Sequence, residues 1–404
     1  MTIEKIILRE ILDSRGNTTV EAEVSSADFT AIASAPSGAS VGTHEVQAFP
    51  KGGTEEAVSV FNTNFRDKLK GHEANYHEFE KTLSDLNAIG ELGGNSFLAL
   101  TLAVAKLHAA ISGIDLYEIF GSSYTLPYPI GNVIGGGVHS GPGSPEIQEF
   151  MCIPVGAKTF KDAALANCAV HKTIGKKLME LDKNFTRGRS DEGAWAPAIK
   201  REKALEILTE ACAAVSDKVG FDVKGALDLA ASEFYDTKEG SYAYKDSKKT
   251  TEEQVEYVAS LIDEHGLFYV EDPFHEDDFD GFTALTKQSG SKCLIVGDDL
   301  TVTNTERLQK AIGLKACNAL IVKPNQIASL VETEKVIKLA KDSNVLPIVS
   351  HRSGETTDNS IAHIAVGFSL PIIKTGAVGG ERLAKINELI RLEEKIGAKM
   401  AKLH

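Results

Sequence analysis

The tightest constraint on this chain of 404 residues is a beat in its second half. Six short apolar runs, at 223–229, 267–270, 293–296, 319–322, 346–349 and 371–373, alternate with stretches of helical periodicity. Parallel strands need a crossover of a dozen or more residues between them, so six β/α units in a row predict a closed barrel. A polar residue ends each run: Asp228, Glu271, Asp298, Lys323, His351 and Lys374, at intervals of 43, 27, 25, 28 and 23. In a (β/α)8 barrel the C-terminal strand ends converge on one face, which is where such barrels keep their chemistry. Charged residues also follow strands simply because loops are solvated. Solvation does not predict six in phase, nor three carboxylates followed by Lys, His and Lys.

Upstream the pattern differs. Residues 6–11, 19–24 and 29–33 are short, partly alternating runs separated by DSRGN and SSAD, which predicts a three-stranded meander. From 54 to 112 the spacing becomes helical, with breaks near 70–75 and 90–95. The Pro-bearing stretch 124–129 is the best linker, followed by two strand runs (129–134, 147–155) and two helical ones (161–181, 201–219). The expected organisation is an α+β capping domain over residues 1–125 and a (β/α)8-type catalytic barrel over 126–404.

Forty-three basic against 57 acidic residues give a net charge of −14, which repels phosphate backbones and anionic lipid surfaces. Nucleic acid and membrane are therefore not expected as partners. The most apolar long stretch, 97–111, is broken by Lys106 and His108, and the N-terminus carries charges where a signal peptide needs an apolar core. Five scattered cysteines without a C-x-x-C pair predict neither a disulfide framework nor a Zn site, and point to the reducing cytoplasm.

An acidic protein that handles an anionic substrate needs cations at its site. Three carboxylates on neighbouring strand ends repel one another unless a divalent cation lies between them, and all-oxygen ligation suits Mg²⁺. Asp228, Glu271 and Asp298 are thus the expected metal ligands, with the alternative that Asp299 ligates and Asp298 caps a helix. No D-x-D-x-D-G loop favours Ca²⁺, and no His pair or Cys spacing favours Zn²⁺. Burial and a nearby cation should lower the pKa of Lys323 and free its amine as a base, although a lysine that only pairs with the carboxylates would read the same way. In VSHRSGE, Arg352 can fork onto phosphate oxygens and Ser353 can add a hydroxyl, while His351 can orient a substrate or serve only structurally. In SDEGAWAP, Glu192 lies beside the single Trp of the chain, where desolvation would raise its pKa and suit an acid. The Gly-bearing stretches 37–42 and 135–143 are lid candidates, or plain turns.

Taken in order, ILDSRGNTTVE, APSGASVG, GGGVHSG, QEFM, SDEG, ALDLAASEFY, VEDPF, GDDLTVTN, KPNQI, SHRSGET and IKTGAVGGERLAKINELIRLEE span residues 11 to 394. This set resembles the enolases. The resemblance implies an N-terminal α+β cap, a ββαα(βα)6 barrel, and the reversible dehydration of 2-phosphoglycerate to phosphoenolpyruvate in glycolysis and gluconeogenesis. It implies two Mg²⁺ per active site, the first on Asp228, Glu271 and Asp298 and the second completed by Ser40. Lys323 corresponds to the base at C2 and Glu192 to the acid at the C3 hydroxyl, with Glu149 as its neighbour. His139 and His351 correspond to substrate contacts, Arg352 and Ser353 to the phosphate grip, and Lys374 to the lysine facing the substrate carboxylate. A cytoplasmic homodimer is implied as well.

Val41, Ala194 and Trp195 depart from residues frequent in the family, which bears on loop closure rather than on catalytic groups. Two other readings are a superfamily lyase acting on a non-phosphorylated hydroxy acid and a binding protein on the same scaffold. Arg352 and Ser353 speak against the first, and the presence of both Lys323 and Glu192 against the second.

Overall fold

The computed structural model describes residues 1–38, 42–141 and 143–403. Strands β1 (Lys5–Leu12), β2 (Thr18–Ser26) and β3 (Phe29–Ser34) form an antiparallel meander in the order β1-β2-β3. Their alternation turns Ile6, Leu8, Val20, Ala22 and Val24 inward, as period-2 side chains require. Helices α1 (Gly53–Val60), α2 (Arg66–Leu69), α3 (Tyr76–Asp85), α4 (Ala88–Leu92), α5 (Gly94–Ser112) and α6 (Leu116–Phe120) follow. Helix α5 is long and apolar enough to span a bilayer by composition, but 78% of its most apolar window is buried inside the protein. It is the core helix of this unit, packed on β2 and β3. The spacing reading merged one feature here, because five residues at 61–65 form a π-helical turn between α1 and α2.

Next come β4 (Tyr128–Gly135), β5 (Glu149–Ile153), α7 (Phe160–Leu181), α8 (Arg201–Val219) and β6 (Lys224–Asp228). A three-stranded ribbon of β7 (Tyr235–Asp236), β8 (Ser241–Ala243) and β9 (Lys248–Lys249) then leads into α9 (Thr251–His265). The remaining elements are β10 (Tyr269–Glu271), α10 (Phe279–Ser289), β11 (Leu294–Gly297), α11 (Thr305–Leu314), β12 (Ala319–Val322), α12 (Pro324–Ile327), α13 (Leu330–Asp342), β13 (Leu346–Ser350), α14 (Ser360–Gly367), β14 (Ile372–Lys374) and α15 (Gly380–Ile396). Eight strands close a barrel in the order β10-β11-β12-β13-β14-β4-β5-β6. Strand β5 runs antiparallel to both its neighbours and every other pairing is parallel, which is the ββαα(βα)6 arrangement.

A buried cluster drawn from all eight strands, including Ile130, Met151, Tyr269, Val296, Ile321 and Ile372, fills the barrel. Register then places the chemistry. Glu271 pairs with Asp228 across β10 and β6, Glu149 with Asp228 across β5 and β6, and Ser350 with Lys374 across β13 and β14. Because β5 is antiparallel, its first residue shares a level with the last residues of its neighbours.

The N-terminal unit closes over this end. Ser37 and Gly354 exchange two backbone hydrogen bonds of 2.7 and 2.8 Å. The β1–β2 turn reaches the same region: Ser14 donates its N–H to the Glu355 carbonyl at 2.7 Å, and Asp13 Oδ1 holds the turn by accepting from the N–H groups of Arg15 and Asn17.

Candidate active site

At the C-terminal mouth of the barrel lies a pocket lined by Glu45, His139, Glu149, Glu192, Asp228, Asp298, Asp299, Lys323, His351, Arg352, Ser353 and Lys374 among others. Glu271 sits at its edge, fully buried, one hydrogen bond from Lys374. The structure thus brings together every candidate named from the sequence except Ser40, which lies outside the described residues.

Lys374, the last residue of β14, is the hub. Its Nζ donates to Glu271 Oε2 at 2.8 Å and to Asp228 Oδ2 at 3.0 Å, and lies 3.3 Å from Glu149 Oε1. Burial opposes its charge, but Asp228, Glu149 and Glu271 outweigh it and push the ammonium well above the ordinary lysine range. Lys323 donates to Asp298 Oδ2, and Gln326 Nε2 donates to Asp298 Oδ1 at 3.1 Å. Asp298 therefore spends its oxygens on the pocket and not on helix capping; Asn304 caps α11 instead.

The expectation for Glu192 is overturned, and at Lys323 the ion pair adds an effect that spacing did not include. Burial lowers the pKa of Lys323, but Asp298 beside it outweighs desolvation and raises it while no other cation shares that carboxylate. Glu192 was expected to be raised by Trp195. The indole instead packs away from it, stacking on His171 with 4.6 Å between ring centroids and donating to the His171 carbonyl at 2.7 Å. Burial does disfavour the Glu192 charge, but the permanent charges of Arg382 and Lys374, with the rings of His351 and His139 facing it, hold it below the usual carboxylate range. Its neighbour Glu149 is the raised member of the pair, through burial and the adjacent Glu192 carboxylate. Asn132 donates to Glu192 Oε2 at 3.1 Å, while the nearest imidazole nitrogens of His139 and His351 each stand 3.8 Å from Glu192 Oε1.

The acid loop owes its position to Gly193. Its φ is +80°, and a Cβ there would lie 2.5 Å from the Val378 carbonyl oxygen, so only glycine lets this loop approach the segment after β14.

Arg352 is held by a residue the sequence reading did not name. Both carboxylate oxygens of Glu45 accept from its guanidinium, each at 3.0 Å, and Asn325 Oδ1 accepts at 3.0 Å. The planar fork meant for an anion is thus presented already aligned with a carboxylate. Asp272 was missed as well: its carboxylate accepts from the N–H groups of Asp298 and Asp299 at 2.8 and 2.9 Å and so sets the turn after β11. Glu45 could have been found as the charge next to the 37–42 loop, and Asp272 as the partner of Glu271 in VEDPF. Neither ends a strand run, which is the signal that exposed the others.

The donor set fits a hard divalent cation. Six carboxylates line the pocket against three cationic side chains, and Glu271 adds a seventh at its edge. Lys374 meets one oxygen of Glu271 and of Glu149, but Glu271 Oε1 and Glu149 Oε2 are buried without a hydrogen-bond partner among the described residues, so each carboxylate keeps an oxygen open to a further cation. Burial and Asp228 push Glu271 up to about 8, and burial and Asp298 push Asp299 up to about 7, the signature of carboxylates crowded together. Oxygen-only donors of this kind suit Mg²⁺-like ions better than thiophilic ones.

Comparison with known proteins agrees with this geometry. The family described as enolase, N-terminal domain, matches residues 3–120, and enolase, C-terminal TIM barrel domain, matches residues 123–403. The enolase of Methanosphaera stadtmanae is 48% identical over 402 residues, covering 98% of this chain and 97% of the relative. The enolase of Methanothermobacter thermautotrophicus is 46% identical with the same coverage, and that of Archaeoglobus fulgidus is 47% identical over 401 residues, 98% of each chain. With both domains matched and nearly half of all positions shared along the whole length, the chain belongs to the enolase family of phosphopyruvate hydratases.

Proposed function

We propose that the chain converts 2-phosphoglycerate reversibly to phosphoenolpyruvate with Lys323 as the base at C2 and Glu192 as the acid at the C3 hydroxyl. The observation that carries this reading is one pocket holding a lysine on one side, a paired glutamate on the other, and Asp228 and Asp298 between them, with Glu271 on the strand beside Asp228 at its edge. Asp228, Glu271 and Asp298 would hold one Mg²⁺, and Ser40 would complete the site of a second. Bound Mg²⁺ supplies positive charge against the substrate carboxylate, where a second negative charge develops once the C2 proton leaves.

Lys374, fixed between Asp228 and Glu271, faces that carboxylate with an ammonium that stays charged. Arg352 and Ser353 grip the phosphate, the guanidinium exchanging the oxygens of Glu45 for those of the substrate. Lys323 takes the C2 proton from one side as the free amine, the form that would become accessible when Asp298 serves a cation in place of the Lys323 ammonium. From the other side Glu192, held below the usual carboxylate range, takes a proton from the neighbouring Glu149, whose carboxyl is the raised one, and delivers it to the leaving hydroxyl. His139 and His351 flank the hydroxyl. We extend the reading to a cytoplasmic homodimer, with the cap joined to the barrel at 125/126. Five free cysteines are in keeping with the compartment.

The test is ultraviolet absorbance of phosphoenolpyruvate formed from 2-phosphoglycerate, with and without Mg²⁺. Activity should disappear on exhaustive chelation and return with Mg²⁺; full activity in the chelated enzyme would overturn the assignment.

A further inference from the structure

His351 follows β13 and points one ring edge into the pocket and the other into the protein. Behind it lies Arg382, near the start of α15, with no exposed surface. Its Nη1 is 2.8 Å from His351 Nδ1 and also donates to the Arg352 carbonyl at 2.5 Å; its Nη2 donates to the carbonyls of Ser353 at 2.6 Å and Asp191 at 3.3 Å. All four terminal hydrogens of the guanidinium therefore have fixed acceptors, three of them in the 351–353 turn and one in the loop that carries Glu192.

A guanidinium has donors only and does not lose its proton in proteins. Whatever nitrogen it touches on an imidazole must accept. His351 Nδ1 is thereby left without a hydrogen, and the single proton of the neutral ring must reside on Nε2. That nitrogen is buried, has no hydrogen-bond partner among the described residues, and lies 3.8 Å from Glu192 Oε1. A second proton on Nδ1 would place two donors head to head at 2.8 Å beside a buried positive charge.

We propose that Arg382 is a positioning residue that locks His351 in the Nε2–H tautomer, so that His351 acts as a neutral hydrogen-bond donor to the leaving C3 oxygen beside Glu192 and cannot serve as a base there. This rests on the reaction proposed above, but the state of the ring does not. The same guanidinium ties the phosphate-gripping turn to the acid loop through the Ser353 and Asp191 carbonyls, so the histidine, the grip and the acid share one internal reference point.

The direct test is nitrogen-15 NMR of the histidine-labelled full-length enzyme near neutral pH, with the His351 signals assigned by their loss in His351→Gln. A pyrrole-like Nε2 and a pyridine-like Nδ1 are expected; a proton on Nδ1, or an imidazolium, would overturn the proposal. In Arg382→Lys a single ammonium replaces the fork, so the tautomers should mix in the NMR spectrum. The kcat should fall by about tenfold or more, a larger factor than the rise in KM that loosening the 351–353 turn brings, as expected for a group that matters in the transition state. A kcat within about twofold of the parent would sink the idea.

Should Arg382→Lys fail to fold, a second pair of variants decides. His351→Gln keeps an amide near the Nε2 position and His351→Asn keeps one near Nδ1, so the Gln variant should retain the larger share of kcat, and equal losses would overturn the donor role. Parent enzyme that makes no phosphoenolpyruvate would refute the proposed reaction, while the NMR spectrum would still report the tautomer.

Discussion

Lys323 and Glu192 approach the pocket from elements well separated around the barrel: Lys323 follows β12, and Glu192 is anchored to Asn132 on β4, with β13 and β14 in between. This separation allows the two half-reactions to be cut apart. Lys323→Ala should stop exchange of the C2 proton with solvent deuterium. Glu192→Gln should leave C2 exchange measurable while dehydration nearly ceases, because the proton can still leave C2 but the hydroxyl departs without an acid. Each loss should reach about 10³-fold, roughly 4 kcal/mol, if a positioned acid or base makes its usual contribution. Exchange at C2 followed by NMR beside dehydration in each variant separates the roles; vigorous exchange in Lys323→Ala would remove that lysine from the base position. The Asp298 contact holds the Lys323 ammonium above the ordinary lysine range, so this lysine stays charged whenever Asp298 has no other cation to serve.

The elements were legible to different degrees, for physical reasons. Strands β6 and β10 to β14 are buried on both faces, so they read as continuous apolar runs whose first polar residue marks the catalytic rim. The ribbon of β7, β8 and β9 was not legible, since strands of two or three residues with sequences such as KK carry no periodicity. Roles that depend on packing across the chain were equally hidden: Trp195 is adjacent to Glu192 in sequence by three positions, yet its ring belongs to α7 through His171 and Gly175. Arg382 lay inside a stretch quoted for its family likeness, but nothing in its neighbours tells that it reaches back to His351.

The acid loop provides the prediction at this scale. In Gly193→Ala the new methyl meets a backbone carbonyl that cannot rotate away, at a φ that L residues avoid. The loop must shift, and a displacement near 1 Å at a catalytic group can cost about 10²-fold. We expect kcat to drop by about that factor while the circular dichroism spectrum keeps its shape; an unimpaired kcat would show that the loop position is not set by this contact.

At the scale of the whole molecule, the pocket exists only where the N-terminal unit is seated on the barrel, because Glu45 comes from the first and Arg352 from the second. The seat is held by polar joints. Glu80 on α3 accepts from Ser329 Oγ and from the N–H groups of Leu330 and Val331, thereby capping α13 from across the joint. Asp358, in the loop before α14, accepts from Lys106 Nζ on α5 at 2.7 Å, from the Ser360 N–H at 2.7 Å and from the Ser34 N–H at 3.3 Å. Burial works against the Asp358 charge, but Lys106 and Ser360 prevail and lower its pKa from 3.8 to about 2. A carboxylate lowered on folding contributes stability that is complete above its unfolded value and is lost as pH falls through its folded value. The joint should therefore weaken between about pH 4 and pH 2, by about 2 kcal/mol at 1.36 kcal/mol per pH unit. Asp358→Asn removes the charge and leaves Lys106, whose side chain is only 20% exposed, with the Ile32 carbonyl but no opposite charge, so stability near neutral pH should fall by about 3 kcal/mol. The same variant should show a shallower acid limb, because position 358 no longer takes up a proton on unfolding in that window. Urea unfolding of parent and variant at a series of pH values measures both effects. Parallel acid limbs in the two proteins would show that the seat does not depend on this ion pair and would shift the acid sensitivity to the remaining carboxylates of the joint.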